Sequence, residues 1–113
     1  ATYPRQSVGY TSTHDTDTAV GWYESLSDEQ RDCLHYALAT DGERIAWDLI
    51  EAVWDSDAAL ALTTVPDLLE LGGDARFNTP GTAEGNWRWR VTAERLDPDV
   101  AGELAGVTAA TLR

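Results

Sequence analysis

The spacing of apolar residues in the first half of the chain predicts one short strand followed by three helices. The β-prone segment Ser7–Tyr10 predicts the strand. Three stretches with apolar residues at helical spacing follow it. Their apolar positions are Ala19, Trp22, Tyr23 and Leu26, then Cys33, Leu34, Ala37 and Leu38, then Ala46, Leu49, Ile50 and Val53. Ser27–Gln30 has the pattern of a capping box and predicts the start of the second helix. Ile45, Trp47 and Trp54 widen the third stripe, which predicts packing on two sides.

The second half of the chain predicts a strand, a short helix, a long loop and a final helix. The compact apolar run Ala59–Thr63 predicts a buried strand. Pro66 predicts the start of a short helix. Residues 74–87 are rich in Gly, Pro, Asn and Thr, which indicates a long loop of the kind that often carries function. Trp87–Val91 alternates at strand period, and Asp97 followed by proline predicts the start of the last helix.

This order of elements predicts an α/β fold made of two consecutive βα units with parallel strands. We divide the single fragment 1–113 into residues 1–57, a strand with a three-helix crossover, and residues 58–113, a strand, a loop and the final helix. A complete (β/α)8 barrel needs about 250 residues, so this chain cannot close one. Two strands covered by helices on one side only leave apolar surface exposed. We therefore expect the isolated chain to self-associate.

The charge balance excludes some partners. The chain carries 20 acidic against 8 basic residues, for a formal charge of -12, and all its basic residues are Arg. Such a charge opposes nucleic acid and anionic membranes, and we expect neither as a partner. The absence of Lys and the excess of Asp over Glu favour an origin in a high-salt cytoplasm, where the screening length falls to about 3 Å. The alternative is an ordinary acidic surface.

Other compositional features bear on processing and compartment. The chain has no Met, so we expect Ala1 not to be an untouched translation start. The single Cys33 cannot form an intrachain disulfide, which is consistent with a reducing cytoplasm. No apolar run is long enough to cross a bilayer. Together these features predict a cytoplasmic location.

Two polar segments are the candidates for chemistry. Residues 10–18 read Tyr-Thr-Ser-Thr-His-Asp-Thr-Asp-Thr, and residues 75–87 read Ala-Arg-Phe-Asn-Thr-Pro-Gly-Thr-Ala-Glu-Gly-Asn-Trp. His14 and Asp15 directly follow the first predicted strand, where parallel α/β barrels place their active sites. The pattern alone also allows Asp15 to be a helix N-cap. A metal site of His14, Asp15, Asp17 and His35 is a further alternative, but the spacing fits no standard zinc pattern, and we expect no metal.

These two segments resemble the C-terminal end of a 4-α-glucanotransferase of glycoside hydrolase family 77, the amylomaltases or disproportionating enzymes. The family pattern is roughly Y-T-G-T-H-D-N-D-T for the first motif and A-R-M-N-x-P-G-x-x-x-G-N-W for the second. The resemblance covers nearly the whole chain and implies the last βα units of a (β/α)8 TIM barrel, helix-rich with one or two short parallel strands. The chain departs from the pattern at Ser12, where the family has Gly, and at Thr16, where it has Asn.

The resemblance implies an enzyme that transfers α-1,4-glucan segments between maltooligosaccharides by a retaining double displacement and needs no cofactor. It assigns Asp15 as the third carboxylate, which stabilises the transition state, and His14 and Asn78 as residues that bind the donor glucose. The nucleophile and the acid/base lie on earlier strands in the family, so we expect the isolated chain to be inactive. The alternative is a standalone, non-enzymatic acidic helical domain that binds a protein partner.

Side chains around the two motifs have more ordinary predicted roles. We expect Asp17 to hold its loop through backbone hydrogen bonds. Arg76 can form an ion pair with a neighbouring carboxylate in place of a contact with sugar. Trp87 and Trp89 are expected to pack in the core, although an exposed Trp can stack on a glucose ring.

Overall fold

The computed structural model describes residues 3–113 and contains the predicted order of elements. The elements are β1 (Val8–Tyr10), α1 (Ala19–Glu24), α2 (Asp28–Leu38), α3 (Ile45–Trp54), β2 (Leu60–Leu62), α4 (Val65–Leu68) and α5 (Pro98–Ala110). Single 3-10 turns lie at Gly73–Ala75 and Ala93–Arg95. The prediction of an α/β, helix-rich fragment is confirmed.

The two strands are parallel and lie directly beside each other, with Gly9 opposite Ala61. Gly9 faces α3, and a Cβ added there would lie 3.0 Å from Cγ1 of Val53, so the glycine lets the helix approach the sheet closely. The opposite face of the sheet is exposed. Its large apolar side chains are Val8, Tyr10, Leu60 and Leu62. The prediction that the second strand is buried is therefore wrong within this chain, since Leu60 is 57% exposed.

Helix α3 forms the centre of the core, as its wide apolar stripe predicts. The side chains it buries are Ile45, Ala46, Trp47, Ile50, Val53 and Trp54. The sheet covers one side of α3 and α5 covers another. The indole of Trp54 donates a hydrogen bond to the hydroxyl of Thr108 on α5 over 3.1 Å. Packing on two sides explains why this stripe is wider than that of a surface helix.

The helix starts follow from local sequence. Ser27 and Gln30 form the predicted capping box at the start of α2, and Asp97 caps α5 through the amide of Val100. Thr18 and Thr64 cap α1 and α4 in the same way. The longest helix, α5, has 13 residues. Within residues 3–113, no helix combines the length and apolar character needed to span a bilayer.

Residues 76–92 run without regular structure between the two 3-10 turns. The strand-period alternation at Trp87–Val91 does not form a strand. Trp87 has a φ of 61°, which lies in the left-handed region and is incompatible with an extended chain. The long loop expected over residues 74–87 is therefore longer than predicted.

Candidate active site

Two loops meet beyond the carboxyl ends of β1 and β2. The first loop, residues 11–18, connects β1 to α1, and the second loop, residues 76–87, follows α4 and the turn at Gly73–Ala75. Because the strands are parallel, the first loop after β1 and the segment that leads from β2 into α4 leave the sheet at the same end. This is the end at which (β/α)8 enzymes carry their chemistry.

Asp15 lies at the centre of this junction. Nδ2 of Asn78 donates a hydrogen bond to Oδ1 of Asp15 over 2.7 Å. Nε2 of His14 lies 3.1 Å from the other carboxylate oxygen, Oδ2. The three residues singled out in the sequence therefore come together, each oxygen of Asp15 having a different partner. The side chains of His14 and Asp15 are 58% and 52% exposed, so a ligand can reach them. Their roles in catalysis and binding stay predictions.

Arg76 joins the two loops through their main chains. Its Nη2 donates to the carbonyl oxygen of Asp15 over 2.9 Å, and its Nε donates to the carbonyl oxygen of Asn78 over 2.8 Å. The ion pair considered for Arg76 does not form within residues 3–113. The planar guanidinium presents several donors in fixed directions, so one side chain can bind both carbonyl groups at once. Arg76 thus fixes the backbone on both sides of the contact between Asp15 and Asn78.

The N-cap alternative for Asp15 does not hold. Oγ1 of Thr18 accepts the hydrogen bond from the amide of Gly21 and caps α1. Asp17 has the holding role expected of it, since its Oδ1 accepts a 2.8 Å hydrogen bond from the amide of Thr18. A Cβ added at Gly21 would collide with the Asp17 carboxylate, so this glycine makes room for it. Asp15 is therefore left free to face the second loop.

The four residues of the metal alternative do not form one group. His35 lies on α2, where its Nε2 is hydrogen-bonded to the hydroxyl of Tyr23 and the two ring centroids are 5.7 Å apart. His35 therefore packs against Tyr23. Within residues 3–113, no group of three His, Cys, Asp or Glu side chains is arranged to hold a metal ion.

A shallow cavity of about 280 Å³ lies beside His14. Tyr10 and Leu62, the last residues of the two strands, form part of its wall. The ring of Trp87 lies beside that of His14, with ring centroids 5.5 Å apart. Its side chain is 64% exposed, so the prediction that it packs in the core is wrong. Trp89 is half-buried and contacts Phe77, with ring centroids 6.0 Å apart, but it lies outside the buried core.

Sequence reasoning missed Asp67, a fully buried side chain in the first turn of α4. Its carboxylate accepts hydrogen bonds from Thr11, Ser12 and Ala19, and so contacts both ends of the first loop. An acidic residue in the first turn of a helix capped by Thr64 is usually a solvent-exposed partner of the helix dipole. The one sequence feature that could have indicated this role is Ser12, because its hydroxyl needs a hydrogen-bond partner and a glycine at that position would not.

Comparison with known proteins agrees with this geometry. The family model described as 4-alpha-glucanotransferase, glycoside hydrolase family 77, matches residues 1–96. A 4-alpha-glucanotransferase from Synechocystis is 44% identical over 103 residues, which is 90% of this chain and 20% of that protein. One from Thermus thermophilus is 38% identical over 112 residues, covering 94% of this chain and 22% of that protein.

The solved structures agree as well. An amylomaltase from Streptococcus agalactiae in complex with acarbose superposes with a TM-score of 0.94 at 28% identity. The match covers 98% of this chain and 23% of that one. The chain therefore spans about a fifth of the length of the relatives it matches.

Proposed function

Because the chain belongs to glycoside hydrolase family 77, the 4-alpha-glucanotransferases, we propose that it is the C-terminal part of the catalytic barrel of such an enzyme. The complete enzyme cleaves an α-1,4 bond, holds the glucosyl chain covalently and passes it to the hydroxyl of another sugar. The observation that carries the proposal is the convergence of Asp15, His14 and Asn78 from two loops at one strand edge. The alternative of a standalone binding domain is not favoured.

Retaining transfer places a carboxylate nucleophile and a carboxylic acid about 5 to 5.5 Å apart, on either side of the scissile bond. We assign neither role to this chain. Asp15 acts instead as a third carboxylate, whose negative charge stabilises the oxocarbenium-like transition state. A carboxylate has about four lone-pair sites. The contacts with Asn78 and His14 engage one site on each oxygen, so others remain for sugar hydroxyls.

His14 and Asn78 bind the donor glucose in this proposal. Each already contacts Asp15, so a sugar hydroxyl that reaches the carboxylate also comes within reach of their donor groups. The cavity beside His14 has room for part of a sugar chain, and the exposed ring of Trp87 offers an apolar face beside the His14 ring. We propose a maltooligosaccharide as the substrate, which the acarbose bound to the related amylomaltase supports. The proposed setting is a salt-rich cytoplasm, supported by the acidic composition.

The test is the substitution Asp15→Asn in the complete enzyme, with maltotriose disproportionation as the assay. The amide keeps the shape of the side chain and removes its charge, so we expect turnover to fall at least about a hundredfold. Asp48→Asn is the matched control, because this carboxylate lies on α3 and binds the hydroxyl of Thr40. Near-normal turnover of Asp15→Asn would refute the assignment. Detectable disproportionation by the isolated chain would refute its expected inactivity.

A further inference from the structure

Asp67 holds both ends of the loop that carries Asp15. Its Oδ2 accepts hydrogen bonds from the hydroxyls of Thr11 and Ser12, each over 2.6 Å, at the point where the first loop leaves β1. Its Oδ1 accepts a 2.8 Å hydrogen bond from the amide of Ala19, at the point where the loop enters α1. One carboxylate therefore fixes the start and the end of the loop relative to each other.

The hydrogen bond from the Ala19 amide to Asp67 satisfies a donor at the start of α1. Ala19 is the first residue of α1, and the first amides of a helix have no partner within the helix. Thr18, the N-cap, uses its hydroxyl for the amide of Gly21. The amide of Ala19 thus depends on Asp67, which is 48 positions away in sequence. A change in Asp67 therefore alters the end of the first loop directly.

A buried carboxylate is a costly group, and it persists only where its hydrogen-bonding capacity is used. At Oδ2 this capacity is used by the two 2.6 Å hydrogen bonds from Thr11 and Ser12. Thr64 orients Asp67 in turn, since its hydroxyl accepts from the Asp67 amide in the first turn of α4. Ser12 contributes a bond that a glycine at this position could not supply.

We propose that Asp67 is a positioning residue for Asp15. By fixing both ends of the first loop, it sets the direction in which the Asp15 carboxylate faces the substrate, without touching the substrate itself. This inference rests on the proposed function. A displacement of a catalytic group by about 1 Å can cost a hundredfold in rate, so a loop held by one buried group is a sensitive point of the site.

The experiment measures kcat and KM for maltotriose disproportionation in the complete enzyme. We expect Asp67→Ala to lower kcat roughly tenfold to a hundredfold, with a much smaller change in KM. Ser12→Ala and Thr11→Val each remove one hydroxyl that donates to Asp67. Each should also lower kcat, but by less than Asp67→Ala does. They also keep the proposal testable if Asp67→Ala fails to fold. Asp48→Ala, which removes another carboxylate bound to a hydroxyl, should leave kcat unchanged. An unchanged kcat in Asp67→Ala would overturn the proposal.

A double-mutant cycle separates positioning from a general loss of structure. If Asp67 acts through Asp15, then Asp67→Ala should change kcat by less than about twofold in an Asp15→Asn background. Independent, multiplicative effects would overturn the proposal. Asp67→Asn should recover most of the turnover lost in Asp67→Ala. The Oδ1 atom of the introduced asparagine can accept the hydrogen bond from the Ala19 amide, and its Nδ2 can donate to the hydroxyls of Thr11 and Ser12. Failure of this variant to exceed Asp67→Ala would also overturn it.

A last measurement distinguishes failure of this inference from failure of the proposed function. If the unmodified enzyme transfers no glucan, the proposed function fails, whatever Asp67 does. Hydrogen exchange at the Ala19 amide then reports only whether Asp67 holds the end of the first loop, independently of activity. We expect exchange at least about tenfold faster in Asp67→Ala than in the unmodified protein or in Asp48→Ala. Equal exchange rates would show that Asp67 does not hold the loop and would overturn the inference.

Discussion

The side-chain amide of Asn78 donates a 2.7 Å hydrogen bond to Oδ1 of Asp15, although the two residues are 63 positions apart in sequence. This contact joins the first loop to the second at their exposed faces. It gives Asn78 two functions in the proposed enzyme. The amide orients the carboxylate, and its remaining donor and acceptor are available to a sugar hydroxyl.

We therefore predict that Asn78→Ala raises KM and lowers kcat together. A hydrogen bond to a charged group contributes about 1.5 to 3 kcal/mol, and each 1.36 kcal/mol is a factor of ten in rate. The expected fall in kcat/KM is thus roughly tenfold to a hundredfold. Steady-state kinetics with maltotriose measure both constants. Gln30→Ala is the control, because it removes an amide from the capping box of α2. An unchanged KM would contradict the sugar-binding role of Asn78. An unchanged kcat would contradict its role in orienting Asp15.

Arg76→Lys should weaken the site although the positive charge is kept. The guanidinium donates to the carbonyl oxygens of Asp15 and Asn78 at once, and a lysine ammonium lacks the rigid fork that spans them. We predict a kcat/KM reduced about tenfold and faster hydrogen exchange in the first loop.

Arg113→Lys provides a matched control for that substitution. Arg113 also donates to main-chain carbonyl groups, those of Trp54, Ser56 and Ala58, but at the end of α3. It should change stability without changing kcat/KM. Equal kinetic losses in the two variants would show that the effect of Arg76→Lys is general and not specific to the site.

These contacts show which parts of the fold could be predicted from the sequence. The capping box of Ser27 and Gln30 and the stripe on α3 depend on neighbours within one or two helical turns, and the structure contains both. The site residues came from two motifs whose residue order resembles a family. The partners of Arg76 and Asp67 could not be predicted in this way. Their contacts arise only once β1 and β2 are paired and bring distant segments together.

Two errors have definite physical causes. The exposed indole of Trp87 belongs to a residue with a left-handed backbone inside a loop, and the apolar spacing of the sequence does not reveal this conformation. The run Ala59–Thr63 contains a strand. An apolar run indicates that its side chains are to be buried, but it does not indicate which part of the protein covers them. In this chain Leu60 and Leu62 face outwards, on the side of the sheet opposite α3.

That exposed sheet face leads to the next prediction. Contiguous apolar patches on a soluble surface favour association, so the isolated chain should form dimers or larger species in sedimentation velocity experiments. Replacing Val8 and Leu60 by Thr keeps β-propensity and removes apolar area. Each buried aliphatic side chain contributes about 1.5 to 3 kcal/mol, so the doubly substituted chain should associate at least tenfold more weakly.

Leu112→Thr is the control for the sheet substitutions. Leu112 is 95% exposed, lies beyond the end of α5 and is not one of the large apolar side chains of the exposed sheet face. It should leave association unchanged. A chain that stays monomeric at high concentration would contradict the prediction and would favour an independently stable domain.

Salt dependence tests the proposal of a salt-rich setting. The formal charge of -12 means that self-repulsion disfavours the compact state at low ionic strength. Raising the salt from about 0.1 M to about 1 M shortens the screening length from about 10 Å to about 3 Å and weakens this repulsion. We predict that the melting temperature of the chain, followed by circular dichroism, rises over this range. A melting temperature that falls would contradict the proposal.

The ion pairs of Arg44 should respond to salt in the opposite direction. Arg44 binds Glu103 on α5 and Glu70 just after α4, and these two hydrogen-bonded carboxylates raise the pKa of its guanidinium above the ordinary value. The pairs are half-exposed, so Glu103→Gln should lower the free energy of unfolding by only about 0.2 to 1 kcal/mol in 0.1 M salt. In molar salt the difference between variant and unmodified chain should shrink, because the attraction is screened. A difference that persists at high salt would show that Glu103 stabilises α5 through packing and not through charge.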